Sequence, residues 1–160
     1  MSNDDTATPA RTRLQKWRWL IGPIFIYFVI CIMLATFQRS LIYLPRRVDA
    51  VTPVESGLHD AQVYNVSVAA ADGLPLHGWF VPAGGAVCTN KEDFDTHLAS
   101  GRPVAVEFCG NAGHRGYRGA ILTLFSTLDV DALIFDYRGY GNNSGSPSEA
   151  ALISDSQAIW

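Results

Sequence analysis

Apolar and polar positions change rhythm several times along this chain, and each rhythm predicts an element. From Trp19 to Gln38, "WLIGPIFIYFVICIMLATFQ", twenty consecutive residues carry no charge, and eleven of them are Leu, Ile, Val or Phe. A helix of that length, rising about 1.5 Å per residue, spans roughly 30 Å, the thickness of a bilayer core. The run predicts one transmembrane helix over 19–38, anchored in the lipid bilayer. Pro23 is expected in its first turn, where a missing N–H matters least. The competing reading is a cleaved signal peptide, which wants a shorter apolar core and an A-x-A site; "LATFQRS" offers none. Arg11, Arg13, Lys16 and Arg18 precede the run, and Arg39, Arg46 and Arg47 follow it. That asymmetry predicts a single-pass protein with residues 1–18 as a cytoplasmic lead, the first ten without periodicity, and everything after the span on the far side.

Beyond the span the rhythm is lost. Residues 39–60 hold two prolines and no steady period, so they read as a linker, with a domain expected over 61–160. "AQVYNVSVAA" alternates with period two, Asp72-Gly73 signals a turn, and "LHGWFVP" follows, so a β-hairpin is predicted. Residues 83–102, with the polar "TNKEDFDTH", read as a solvated loop. "PVAVEF" is a third strand and "VDALIFDY" a fourth. Between them "YRGAILTLFSTLD" puts Ala120, Ile121, Leu124, Phe125 and Leu128 at helical spacing. In "SPSEAALISDSQAIW", Ser146 suits an N-cap, Pro147 the first helical position and Glu149 the third, which predicts a final helix.

Composition narrows the function classes. The net charge is −3, and no basic stripe suggests nucleic acid. Cys31, Cys88 and Cys109 show no C-x-x-C spacing, and His59, His77, His97 and His114 are scattered. Neither a metal site nor a cofactor is expected, and Cys88 and Cys109 are read as free thiols.

A hairpin followed by strand, helix, strand, helix predicts an α/β fold with a mostly parallel sheet. Such sheets carry their chemistry in the loops at the carboxyl ends of the strands. Two Gly-rich loops fall there, "CGNAGHRG" and "RGYGNNSGSPSE". Phosphate binding is one candidate for the first. Gly110, Gly113 and Gly116 are spaced G-x-x-G-x-x-G, however, rather than as a dinucleotide or P-loop signature, and only Asp136 would suit a ribose. An oxyanion hole is the other candidate.

The stretches "YLPRRVDAVTP", "ADGLPLHGWFVP", "FCGNAGHRGYR" and "IFDYRGYGNNSGSPSE" resemble, in order, the membrane-anchored α/β-hydrolases with a serine aminopeptidase-like domain. The resemblance covers the chain from about Ile42 to Trp160. The family pattern H-G-N-A-G-N matches at Gly110, Asn111, Ala112 and Gly113, with Cys109 in place of the His and His114 in place of the second Asn. It implies that the backbone N–H of Asn111 is an oxyanion donor. Gly110 and Gly113 are expected to allow positive φ in the turn. Asp136, Arg138, Gly139 and Gly141 match the family's D-Y-R-G-Y-G and are expected to be structural, a charged pair holding a loop near the site. Asn143 stands where the family often has Ser. Cys109 lacks a strained elbow and reads as a small buried residue rather than a nucleophile.

Serine hydrolysis needs G-x-S-x-G, then an acid, then a His. No serine here sits in that motif. The resemblance places the elbow after a fifth strand. The chain is therefore expected to be the N-terminal portion of a hydrolase of acyl esters, thioesters or amides, inactive as it stands. The alternative is a non-enzymatic, membrane-tethered binding module or a decayed gene product.

Overall fold

The computed structural model describes residues 11–160, which divide between Leu41 and Ile42 into two compact units. The aperiodic lead expected over 1–10 lies outside the described residues. The first unit is dominated by one helix, α1, Arg11–Ile42. It exceeds the expected 19–38 at both ends. Arg, Leu, Gln and Lys before Trp19 are good helix formers, and nothing in "RSLI" stops the last turn. Pro23 consequently lies well inside α1 rather than in its first turn. It deprives the Trp19 carbonyl of a helical donor, a loss that helices in bilayers accommodate. The stretch Trp19–Ile42 is long and apolar enough to cross a membrane.

The second unit holds β1 (Leu44–Pro45), β2 (Tyr64–Ala69), β3 (Pro75–Val81), α2 (Lys91–Ala99), β4 (Val104–Phe108), β5 (Ala112–Gly113), α3 (Gly119–Thr127), β6 (Asp131–Phe135) and α4 (Glu149–Ile159). Four strands form a sheet in the order β2-β3-β6-β4, while β1 and β5 pair separately and in parallel. The β2–β3 hairpin is antiparallel, β3 meets β6 antiparallel, and β6 meets β4 in parallel. This is an α/β fold, hairpin first and β-α-β-α after, though parallel pairing within the main sheet is confined to β4 and β6.

Position in the sheet follows sequence character. β3 and β6 are central and almost wholly buried, as near-continuous apolar runs require. β2, at one edge, alternates half-buried and exposed residues. One face packs Trp79, Val81, Ala132, Ile134 and Leu122 into a core with Cys109, and the other gathers Leu76, Phe135 and Ala70, with Ile159 of α4 against them. Val51 and Leu58 belong to the first of these cores. Much of the stretch read as a linker over 39–60 thus packs as domain, because its isolated apolar residues fill space beneath α3.

Three expectations are corrected. Residues 83–102 are not all loop, since Lys91–Ala99 is helical. The Asn90 side chain accepts the Asp93 N–H at 2.9 Å, while the Asp93 carboxylate accepts the Thr89 N–H at 3.0 Å. Helical period was invisible there because only Phe94, Leu98 and the terminal Ala99 are apolar; Phe94 stacks edge-on against Phe80 at 5.0 Å. On α3 the predicted face is only half right: Ile121 and Phe125 pack against the core, but Ala120, Leu124 and Leu128 are exposed, and the buried residues are Gly119, Leu122 and Ser126. The Ser126 hydroxyl turns that face inward by donating to the Pro82 carbonyl at 2.8 Å. The last helix is capped by Ser148, which accepts the Ala151 N–H, and not by Ser146. Pro147 lies before the cap, and the expected Ser146–Glu149 box does not form.

Candidate active site

Phe108 pairs with Phe135 at the last register of the parallel strands, so the chain leaves β4 and β6 side by side. Both Gly-rich loops therefore start from one sheet edge. Asp136, the first residue after β6, is fully buried. One carboxylate oxygen accepts the Arg115 N–H at 2.6 Å and the other pairs with the Arg115 guanidinium. That guanidinium also lies over the Trp79 ring, 5.0 Å from its centroid. Burial pushes the Asp136 carboxyl above its usual range, while the Arg115 charge and hydrogen bonds pull against that shift.

The charged pair expected between Asp136 and Arg138 does not exist. Arg138 instead donates to Asp155 of α4 at 2.7 Å and to Asp72 of the hairpin turn at 2.8 Å. The strand ends at Phe135, so strand alternation no longer decides which way the two side chains point. Asn143, also buried, closes the second loop. Its Oδ1 accepts the His77 N–H at 2.9 Å and its amide donates to the Asp136 carbonyl at 2.6 Å. The Gly139 N–H donates to the Ser144 carbonyl at 2.9 Å within the same loop.

In the first loop Asn111 is exposed. Its carbonyl accepts the Leu44 N–H at 3.1 Å and the Tyr140 hydroxyl at 3.0 Å. Its side-chain amide donates to the Ile42 carbonyl at 2.8 Å. The Asn111 N–H has no acceptor among the described residues. Gly113 adopts φ +80, as the turn requires, whereas Gly110 does not use the left-handed region. Space does not require a glycine at 110 either, for a Cβ there would meet only the Arg118 guanidinium, at an ordinary contact distance of 3.9 Å. Gly141, at φ +55, lets the second loop pass so close that a Cβ would strike the Asp136 carboxylate.

His114 is buried, and its Nδ1 accepts the Gly116 N–H at 3.2 Å with the ring 4.3 Å from that of Tyr117. The Cys109 thiol is buried, and burial and the neighbouring Asp136 push it up to about 12. It is a neutral packing group at ordinary pH. Cys31, Cys88 and Cys109 are all free, and no cluster of three or more metal-ligating side chains occurs among the described residues. A cavity of about 400 Å³ lined by Leu58, Val81 and Ser126 lies elsewhere, since Val81 pairs with Ala132 at the opposite end of β6. The roles of Arg115, Asn143, Tyr140 and the 42–48 stretch were not read from sequence. Only "LPRR" within the resemblance hinted at the last.

No family profile matches the chain. It is 31% identical over 153 residues to lysophosphatidylserine lipase ABHD12 of Danio rerio, covering 89% of this chain and 40% of that protein. It is 37% identical over 122 residues to an uncharacterized protein of Mycobacterium tuberculosis, Rv2307c, covering 76% of this chain and 37% of the other. A Pyrococcus furiosus esterase, Pf2001, superposes with a TM-score of 0.48 at 18% identity, over 73% of this chain and 39% of the esterase. The chain spans under half the length of the curated relatives it matches. With 31% identity to that lipase over 89% of its own length, the chain belongs to the α/β-hydrolase family.

Proposed function

We propose that this chain contributes the oxyanion loop of a membrane-anchored serine hydrolase acting on acyl esters, thioesters or amides. The observation that carries the reading is the Asn111 N–H. It has no acceptor among the described residues, while the carbonyl and side chain of the same residue are held by three hydrogen bonds. A fixed, unspent donor at the carboxyl edge of parallel strands suits charge that develops on a carbonyl oxygen, where one donor is worth about 3–4 kcal/mol. Gly113, at φ +80, permits the loop's path. Asp136 and Gly141 brace it from the neighbouring loop, and Gly139 and Arg138 shape that neighbour. An ester substrate accords with the lipase named among the relatives.

On this reading the nucleophile, acid and base come from sequence outside these 160 residues, because no serine within them sits in G-x-S-x-G. Residues 19–38 lie in the bilayer, with the amino terminus cytoplasmic and the hydrolase domain on the far side. A fluorophosphonate probe tests the proposal. The 160-residue chain should not label, and a version extended to the length of the relatives should label at one serine and hydrolyse a short acyl ester. Labelling of the short chain, or an inert extended one that is folded, refutes it.

A further inference from the structure

Ile42 to Val48 form a strap across both Gly-rich loops. The Ile42 carbonyl accepts the Asn111 side chain, the Leu44 N–H donates to the Asn111 carbonyl, and Leu44-Pro45 pairs in parallel with Ala112-Gly113. The strap then crosses to the second loop. Gly141 donates to the Arg46 carbonyl at 3.0 Å, Val48 donates to the Gly141 carbonyl at 2.9 Å, and the Arg47 guanidinium donates to the Gly145 carbonyl. Tyr140, from that second loop, reaches back to the Asn111 carbonyl.

We infer that the strap, acting through the Asn111 side chain and carbonyl, is the positioning element for the Asn111 N–H. The inference rests on the oxyanion reading of that N–H. The physical reason lies in the torsions. A carbonyl held by two donors and a side-chain amide held by one acceptor fix the Cα between them. The N–H on the other side of that Cα can then swing only through φ. Without the strap, an exposed loop with glycines at 110 and 113 would sample many orientations, and a donor that must reorganise during reaction loses most of its value.

Hydrogen–deuterium exchange of the 160-residue chain in vesicles, combined with kinetics of the extended enzyme, tests this. Asn111→Ala removes the bond to Ile42 but keeps the backbone N–H; Tyr140→Phe removes one donor to the carbonyl and keeps the ring. Each should speed exchange over residues 109–113 by about five- to tenfold, leaving α3 and α4 unchanged. In the extended enzyme each should lower kcat by about tenfold with KM unmoved. Unchanged exchange in both variants overturns the strap's role, as does faster exchange spread through α3 and α4. Faster local exchange with unchanged kcat upholds the strap and defeats the oxyanion reading instead.

Discussion

Arg115 holds Asp136 twice, with its backbone N–H on one carboxylate oxygen at 2.6 Å and its guanidinium on the other. Both side chains are almost wholly out of water, at 3% and 0% exposure. A carboxylate in that position joins the loop after β4 to the loop after β6, and it is tolerable only while the cation remains.

Arg115→Ala should therefore destabilise the domain by about 3–5 kcal/mol near pH 7, since it strands a buried charge. The pH dependence has a defined sign. Asp136 titrates above its ordinary value in the folded protein, so burying it favours the protonated form, and its contribution falls as pH rises through that raised value. Losing Arg115 raises the folded value further. The deficit of the variant relative to the parent should shrink toward pH 4 and grow toward pH 7 in urea titrations. A deficit independent of pH would mean that packing on Trp79, and not charge, is what Arg115 supplies.

Gly141→Ala tests how tightly the second loop is threaded. At φ +55 an L-residue is strained, and the new methyl would strike the Asp136 carboxylate and lie 3.3 Å from a Val51 methyl. The expected loss is about 2–4 kcal/mol by chemical denaturation. A loss under half a kcal/mol would show that the loop relaxes freely.

Asn90→Ala should cost about 1 kcal/mol, the value of one N-cap, because the Asn90 side chain accepts the Asp93 N–H. Asn90→Asp or Asn90→Ser should restore most of it. Thermal melts of the three variants decide the matter, and equal melting temperatures for alanine and parent would remove the cap from the account.

That helix also shows where sequence reasoning stops. The central strands β3 and β6 are legible because apolar runs bounded by turns have few other uses, and the hairpin is legible from Asp72-Gly73. α2 is not, for its stability comes from a polar cap and one aromatic, Phe94, whose partners Phe80 and Tyr64 lie in distant sequence. The face of α3 misleads for a related reason. Ser126 is buried by hydrogen bonds to Pro82 and Gly85, which no hydrophobic pattern registers. At the site, the glycines and Asp136 stand out as residue types, yet the partner of Asp136 is set by which of Arg115 and Arg138 the folded loops bring near. The strap's part was likewise hidden, since backbone pairing of Leu44 and Pro45 leaves almost no side-chain signature.

The apolar run in α1 predicts an integral membrane protein. Transfer of Trp19 to Gln38 into a bilayer core is favoured by eleven aliphatic or Phe side chains at roughly −0.3 to −0.6 kcal/mol each. Carbonate washing at high pH should leave the chain in the membrane pellet. Release into the supernatant would show that α1 is held by peripheral contacts alone.

The sharpest prediction concerns the Asn111 backbone N–H, which meets no acceptor among the described residues. Asn111→Pro deletes the N–H and nothing else that the loop uses for chemistry, although the side-chain bond to Ile42 goes with it. Asn111→Ala loses that same side-chain bond and keeps the N–H, so the difference between the two variants isolates the donor. In the extended enzyme, Asn111→Pro should reduce kcat by about 10²–10³-fold with little change in KM, because the donor meets charge present only in the transition state. Asn111→Ala should fall far less. Circular dichroism and melting temperature must match the parent for the comparison to count, which the exposure of residue 111 favours. Proline and alanine variants with equal turnover would leave the Asn111 N–H as an unbonded amide in a turn, with no part in catalysis.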